Sequence, residues 1–348
     1  MDDIGQLRDK IRKIDEKIVE LMIQRNDTAK HIGEIKHRLK IPIRDPEVEN
    51  AVIERYRKIS EGSSLPEDVA ESVCRMLISC SMDIQSAIVK KRCAKNVTII
   101  GGNGKMGKWM RRYLEGLGAT VNIIDVSAGK LEDMKGSDIV VISVPISSVG
   151  SVLGDVDALC GDKVLIFDIS SIKSPFSSEL KNMAIRRKVC SVHPMFGPSA
   201  SSIAGRNVVI CDCGCKEAVC EVLKLFDGAN TIVTNVERHD ELMAYVLGLA
   251  HASNIVLFTA LRKSGIPFRE LRDAASSTFR GCIATCIPLS EENASLYHEI
   301  QRLNVNTTEM WDIYENVVKE VKEASLSHDG EEFKEIMERG KEYLKGHL

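Results

Sequence analysis

From Ile4 the apolar positions alternate three and four apart, through Leu7, Ile11, Ile14, Ile18 and Leu21, and the phase continues to Thr28, Ile32, Ile35 and Leu39. This spacing predicts one helix with a heptad seam held for five repeats. A helix of about 36 residues spans roughly 54 Å. That is too long to bury its stripe inside so short a module, so it is expected to pack against another long helix from a second subunit. Arg25 occupies a seam position, and Arg8 and Lys36 flank the same face. A single long cation at a helix edge can snorkel to water. A guanidinium in the middle of an apolar stripe instead requires an anionic partner, either an acidic side chain or a ligand. Pro42 is expected to end the helix, and Asp45-Pro46 to start a second one as N-cap and first helical position. Gly62 to Pro66 make another break. A third helix from Pro66 is expected to turn Val69, Val73, Leu77, Ile84 and Ile88 inward, with Ser81 and Gln85 beside that stripe, facing solvent or a ligand.

Beyond residue 92 the periodicity changes to short apolar runs separated by helical stretches: Val97–Ile100, Val121–Ile124, Ile139–Val144, Val164–Phe167, Val189–Val192 and Asn207–Ile210. Such alternation predicts a doubly wound α/β sheet whose ligand lies at the carboxyl ends of the strands. Gly102-Asn103-Gly104-Lys105-Met106-Gly107 follows the first run directly and precedes a helical pattern. Glycines at this spacing let the backbone turn tightly and approach a pyrophosphate seated at a helix N-terminus. Asp125 ends the second run, 18 residues beyond Gly107. A carboxylate there accepts from ribose hydroxyls and repels a 2′-phosphate, so NAD is expected in preference to NADP. His193 closes a strand at the same crevice, where a neutral imidazole can take a proton from a substrate alcohol during hydride transfer.

From Glu237 onward the pattern is helical, interrupted by Pro267 and Pro288, with apolar stripes that suit a helical domain packing as a dimer. His239 and Asp240 open the first of these helices, and His239 reads equally as a surface residue or a functional one. Three modules are expected, over residues 1–92, 93–235 and 236–348 of the 348. Composition narrows the function class: 44% hydrophobic and 28% charged residues suit packed soluble cores. A net charge of −3 leaves no footprint for nucleic acid or an anionic membrane surface. No apolar run is expected to approach the roughly 18 residues of a membrane span, and the N-terminus is too charged for a signal peptide. Eleven cysteines suit reduced thiols in a cytoplasm. Cys211, Cys213, Cys215 and Cys220 are close enough to suggest a metal, but without a nearby histidine they read as a cysteine-rich turn after a strand, and no metal is expected.

The front pattern as a whole resembles the all-helical chorismate mutase family. That resemblance assigns Arg25 and a partner-subunit Arg8 to substrate carboxylates, Ser81 to a carboxylate, Lys36 and Gln85 to the ether oxygen, and Glu49 and Asp45 to the hydroxyl region. A pericyclic rearrangement needs no nucleophile. It needs a compact conformer and stabilisation of charge on the breaking ether oxygen. The family usually has an arginine just before Glu49, where this chain has Val48. Residues 96 to the end resemble the prephenate dehydrogenase family, through Val144-Pro145-Ile146, Ser171-Ile172-Lys173 and His193-Pro194-Met195-Phe196-Gly197-Pro198. The resemblance implies a Rossmann domain followed by a helical dimerisation domain, Val144 and Pro145 at the cofactor, and Ser171 and Lys173 at the substrate. It also implies His251 and Arg280 in the crevice, with Arg280 pairing a substrate carboxylate bidentately. The expected partners are then chorismate and prephenate, with a homodimer or larger homo-oligomer. The alternative is an arogenate dehydrogenase whose front module only dimerises or regulates.

Overall fold

The computed structural model describes residues 4–39, 41, 43–87 and 93–346. The chain divides into two compact units. One takes the described residues up to Val144, with Ser148–Ser170 and Ser177–Asn235; the other takes Pro145–Ser147, Ser171–Phe176 and the described residues from Val236.

The first unit begins with three helices, α1 (Ile4–Leu39), α2 (Pro46–Ser60) and α3 (Glu67–Ala87), with α3 packed against both others. The 36-residue α1 matches the seam. Pro42 and Ile88 lie outside the described residues. Asp45 caps α2 by accepting from the Val48 amide at 3.2 Å, with Pro46 at its first position. The face that α1 buries in its own protomer is not the seam, however. Ala29 and Gly33 are its buried residues, while Ile4, Leu7, Ile11, Ile14, Ile18 and Leu21 stay 44–66% exposed. Small residues let α3 approach closely and leave the large apolar stripe uncovered. On α3 the buried positions are Ala70, Cys74, Leu77, Ser81, Met82 and Gln85, whereas Val69 and Val73, expected inside, are exposed.

A seven-stranded sheet follows: β1 (Asn96–Ile100), α4 (Lys105–Gly116), β2 (Thr120–Ile124), β3 (Ile139–Ile142), α5 (Val149–Leu159), β4 (Leu165–Asp168), α6 (Ser177–Ala184), β5 (Lys188–Pro194), β6 (Asn207–Asp212), α7 (Lys216–Leu225) and β7 (Asn230–Asn235), in the order β2-β1-β3-β4-β5-β6-β7. β1 to β5 run parallel, and β6 pairs antiparallel to β5 with β7 parallel to β6. β1, β3, β4 and β5 are buried almost throughout, as expected of strands covered on both faces. The core beside them is aromatic: Trp109 stacks on Tyr113 and Tyr113 on Phe226, with centroids 5.3 and 5.6 Å apart.

The second unit is helical: α8 (Val236–Met243), a π-helical stretch over Ala244–Leu249, α9 (Ala250–Lys263), α10 (Phe268–Asp273), α11 (Ser277–Ser290), α12 (Ala294–Leu303), α13 (Thr307–Leu326) and α14 (Glu331–Lys345). Pro288 does not interrupt α11, which ends two residues later. Its missing amide removes one bond to the preceding turn, and the helix closes soon after it. The continuous run Val236–Lys263, with mean hydropathy 1.6 in its most apolar stretch, is long and apolar enough to cross a membrane by length and composition. No such stretch was expected, because His251, Ser253 and Asn254 divide its apolar residues.

Candidate active sites

The front helices bring Arg25, Ser81 and Gln85 to the α1–α3 contact. Arg25 leaves its seam position and donates to the Leu77 carbonyl at 2.7 Å and to Ser81 Oγ. Its partner on this face is therefore neutral, and the guanidinium keeps its full charge for an anion. Lys36 Nζ donates to the Ile43 carbonyl at 2.7 Å, which brings it to the turn that carries Asp45 and Glu49. Gln85 is 8% exposed, and among the described residues its Oε1 has no hydrogen-bond partner. A buried acceptor left unsatisfied is costly, so a hydrogen-bond donor belongs beside it. Arg8 lies on the exposed part of α1, away from these residues in sequence and on the uncovered stripe side. Val48 is 57% exposed, so nothing replaces the family arginine at that position. A neighbouring cation does reach the turn: Arg44 Nε lies 3.3 Å from Glu49 Oε1, and its Nη1 donates to Asn230. Arg44 was not singled out from sequence, although it stands directly before Asp45.

The sheet register places the second site. Ile124, Ile100, Ile142, Asp168 and Ser191 form one row across β2, β1, β3, β4 and β5. Hence Asp125, Gly101 and Ser143 lie just past this row, and His193 two residues beyond it near the end of β5. β1 and β3 are the pair at which the strand order reverses, the position where open α/β sheets take a ligand. Gly101 has φ +81°, and a Cβ there would sit 2.3 Å from the Ser143 carbonyl. A Cβ on Gly107 would sit 2.5 Å from the Gly101 carbonyl. Gly104 is the N-cap of α4, with Lys105 and Met106 in the first turn. Asp125 accepts from the Asn103 amide at 2.9 Å and from the Val126 amide at 2.8 Å, which fixes the carboxylate beside the glycine turn. A cradle this close to backbone on both sides, with a helix start facing it and a fixed acid at the next strand end, fits an adenine dinucleotide. His193 is 5% exposed on β5, opposite Val209 of β6.

In the second unit, the Ser171–Phe176 segment and α8 meet at a carboxylate. Lys173 and Asp240 are almost fully buried, and Ser171 is half-buried. His239 is 0% exposed with Nδ1 2.6 Å from Asp240 Oδ1, so it is a core residue and not a surface helix start. Glu299 accepts from the Ile146 amide at 3.2 Å and Ser147 Oγ at 2.5 Å, holding the turn that follows Val144 and Pro145. His251 stands in the first turn of α9 and meets Tyr297 edge-on, centroids 4.4 Å apart. Burial lowers its pKa, so the ring is neutral near pH 7, and its Nδ1 has no partner among the described residues. Arg280 is exposed in the first turn of α11, and no described hydrogen bond or ion pair joins it to His251.

The cysteines of this turn form no disulfide: Cys211 and Cys213 are buried, Cys215 half-buried and Cys220 exposed. Burial pushes the neighbouring Cys190 thiol well above the usual range, which keeps it protonated. Among the described residues no three His, Cys, Asp or Glu side chains converge as a metal site.

Three family models match in order along the chain: chorismate mutase type II over residues 7–86, the prephenate dehydrogenase nucleotide-binding domain over 88–249, and the prephenate dehydrogenase dimerization domain over 235–339. The T-protein of Haemophilus influenzae is 28% identical over 309 residues, covering 86% of this chain and 81% of that protein. A chorismate mutase of Methanocaldococcus jannaschii is 33% identical over 96 residues, 28% of this chain and 97% of that protein. Among solved structures, prephenate dehydrogenase from A. aeolicus in complex with hydroxyphenyl propionate and NAD+ superposes with a TM-score of 0.60 at 18% identity, over 74% of this chain and 99% of that one. At that identity the likeness concerns the fold.

Proposed function

The chain belongs to the family that joins a type II chorismate mutase to a prephenate dehydrogenase, and from that premise we propose how its residues divide the two reactions. It is a bifunctional enzyme of tyrosine biosynthesis. The front helices rearrange chorismate to prephenate, and the rest of the chain converts prephenate to 4-hydroxyphenylpyruvate with NAD, by oxidation and loss of carbon dioxide. The module boundaries fall at 92/93 and 235/236.

In the mutase site, Arg25 and Ser81 bind one carboxylate, while Lys36 and Gln85 donate to the ether oxygen as it gains charge. The single observation that supports this reading best is the Arg25 guanidinium, held by the neutral Leu77 carbonyl and Ser81 Oγ, one helical turn from the buried Gln85 side chain. Asp45 and Glu49 take the hydroxyl region, with Arg44 on Glu49. Arg8 comes from a second copy. The uncovered apolar stripe of α1 and the match to a dimerization domain support a homodimer or larger assembly.

In the dehydrogenase site, the turn from Gly102 to Gly107 holds the pyrophosphate, Asp125 the ribose hydroxyls, and Val144 and Pro145 flank the nicotinamide. Bound there, NAD supplies the acceptor for the hydride that leaves the ring carbon bearing the hydroxyl. His193 takes the hydroxyl proton and Ser171 orients that hydroxyl. Lys173, His251 and Arg280 serve the remaining substrate groups, with Arg280 on a carboxylate. Departure of the ring carboxyl as carbon dioxide makes the ring aromatic, which draws the reaction forward. Both substrates are small molecules, with no nucleic acid or membrane partner, and the enzyme works in the cytoplasm.

The test follows NADH formation with prephenate, and separately with arogenate, for the wild type and His193→Asn. Removing a general base costs roughly 10²–10⁴ in turnover. The variant should lose dehydrogenase turnover to that extent, while NAD binding and mutase activity stay near wild type. Full turnover in His193→Asn refutes the assignment of the base. A wild type that oxidises arogenate but not prephenate refutes the substrate.

A further inference from the structure

The segment that carries Ser171 and Lys173 is held by one buried carboxylate from far along the chain. Asp240, 1% exposed on α8, accepts from the Lys173 amide with both oxygens, each at 3.0 Å. It also accepts from the Ser174 amide at 2.6 Å and from Ser174 Oγ. His239 Nδ1 completes the set at 2.6 Å. A carboxylate has about four acceptor positions, and four donors fill them here. Burial alone would raise the pKa of this group, but hydrogen bonds from His239 and Ser174 outweigh it, and the net shift is downward. The carboxylate therefore stays ionised at neutral pH.

The amides of Lys173 and Ser174 open a short 3-10 turn over Ser174–Phe176. Helical turns leave their first amides free, and a local serine or aspartate normally takes them. Here the acceptor comes from a residue 66 and 67 positions away. Such an arrangement ties two segments to each other, which a local cap does not. On one side lies Ser171, two residues before the held amide. On the other, α8 runs without a break through the π-helical stretch into α9, where His251 stands. Asp240's own carbonyl accepts from Asn304 Nδ2 at 2.8 Å, so the carboxylate's backbone is anchored as well. The π-helical stretch is tied down similarly: Gln301 Nε2 donates to the Gly248 carbonyl at 2.8 Å. π-Helical turns inside α-helices recur at functional sites.

We propose that Asp240, oriented by His239, is a positioning residue for the dehydrogenase reaction. It sets the Ser171–Lys173 turn against the helix that carries His251, so that the group orienting the substrate hydroxyl and a group meeting the rest of the substrate keep a fixed spacing. This rests on the reading that Ser171 orients the hydroxyl. Misplacement by about 1 Å can cost on the order of 10²-fold in rate.

The test uses the full chain with prephenate and NAD, comparing Asp240→Asn, Ser174→Ala and Ser171→Ala. Asp240→Asn keeps the volume but turns an amide group toward backbone donors. Its kcat should fall by roughly 10- to 100-fold, with KM for NAD and mutase activity within about twofold of wild type. Ser174→Ala deletes one donor and leaves the carboxylate satisfied by the others. It serves where Asp240→Asn fails to fold, and it should show the same split at a smaller loss of about threefold or more in kcat. A lowered melting temperature with wild-type kcat in the folded protein overturns the proposal, since a plain structural strut behaves that way. Full turnover in Ser171→Ala overturns the role of Ser171 and this inference with it. Loss in Ser171→Ala without loss in the other two variants overturns the positioning role alone.

Discussion

Gly107→Ala is the substitution whose consequence the geometry defines most tightly. The new Cβ would stand 2.5 Å from the Gly101 carbonyl oxygen, 2.7 Å from Gly102 Cα and 2.9 Å from the Gly102 carbonyl carbon. Ordinary contact begins near 3.4 Å, so the start of α4 and the glycine turn must separate by about 0.9 Å. All three obstacles are backbone, and no rotamer change relieves them. Overpacking of this kind costs about 1–3 kcal/mol. The turn exists to bring amides to a pyrophosphate, so most of that cost should appear in cofactor binding. At about 1.4 kcal/mol per tenfold, NAD should bind roughly 5- to 150-fold more weakly. Gly116→Ala, at the opposite end of α4 from the glycine turn, is the control: a Cβ there would meet nothing within 4 Å. Calorimetric titration of NAD into both variants measures the difference, with mutase activity confirming that the front module is intact. Wild-type NAD affinity and melting temperature in Gly107→Ala would refute the reasoning.

Asp125→Ser should narrow the preference for NAD over NADP, because the carboxylate fixed by Asn103 and Val126 repels a 2′-phosphate; equal use of both cofactors by the wild type would show the acid misread. For the mutase, an equal mixture of Arg8→Ala and Lys36→Ala chains, co-refolded, should recover roughly a quarter of wild-type activity. About half the dimers are mixed, and half the sites of a mixed dimer are intact when Arg8 crosses the twofold. If Arg8 served its own subunit, mixing would recover nothing.

Long periodic elements were legible in the sequence because period and burial report the same thing there. The seam of α1, the cap at Asp45-Pro46 and the glycine turn between β1 and α4 all have local signatures, and each stands where expected. What escaped depends on partners distant in sequence. α1 packs in its protomer through Ala29 and Gly33, small residues that carry little weight in a hydrophobic pattern. β7 was missed because Ile232 and Val233 are adjacent rather than alternating, flanked by polar residues and about half exposed. His239 and Asp240 read as a polar helix start; their burial depends on two amides more than sixty residues earlier. Within the sites, residue types could be read from the chain, but which acceptor each cation meets could not. Arg25 finding a carbonyl and a serine, where an acidic side chain or a ligand was expected, is a product of the α1–α3 packing.

The central claim is that one chain performs two consecutive reactions, and the direct measurement supplies only the first substrate. Purified chain is given chorismate and NAD, with no added prephenate, and chorismate loss and NADH gain are followed together against an enzyme-free control. The account predicts that both change, and that about one NADH forms for each chorismate consumed once the reaction is complete, as the one-hydride chemistry requires. NADH from added prephenate but none from chorismate would contradict it by showing the front helices to be a scaffold. Chorismate loss without NADH would contradict it by showing that the second site does not act on what the first one makes.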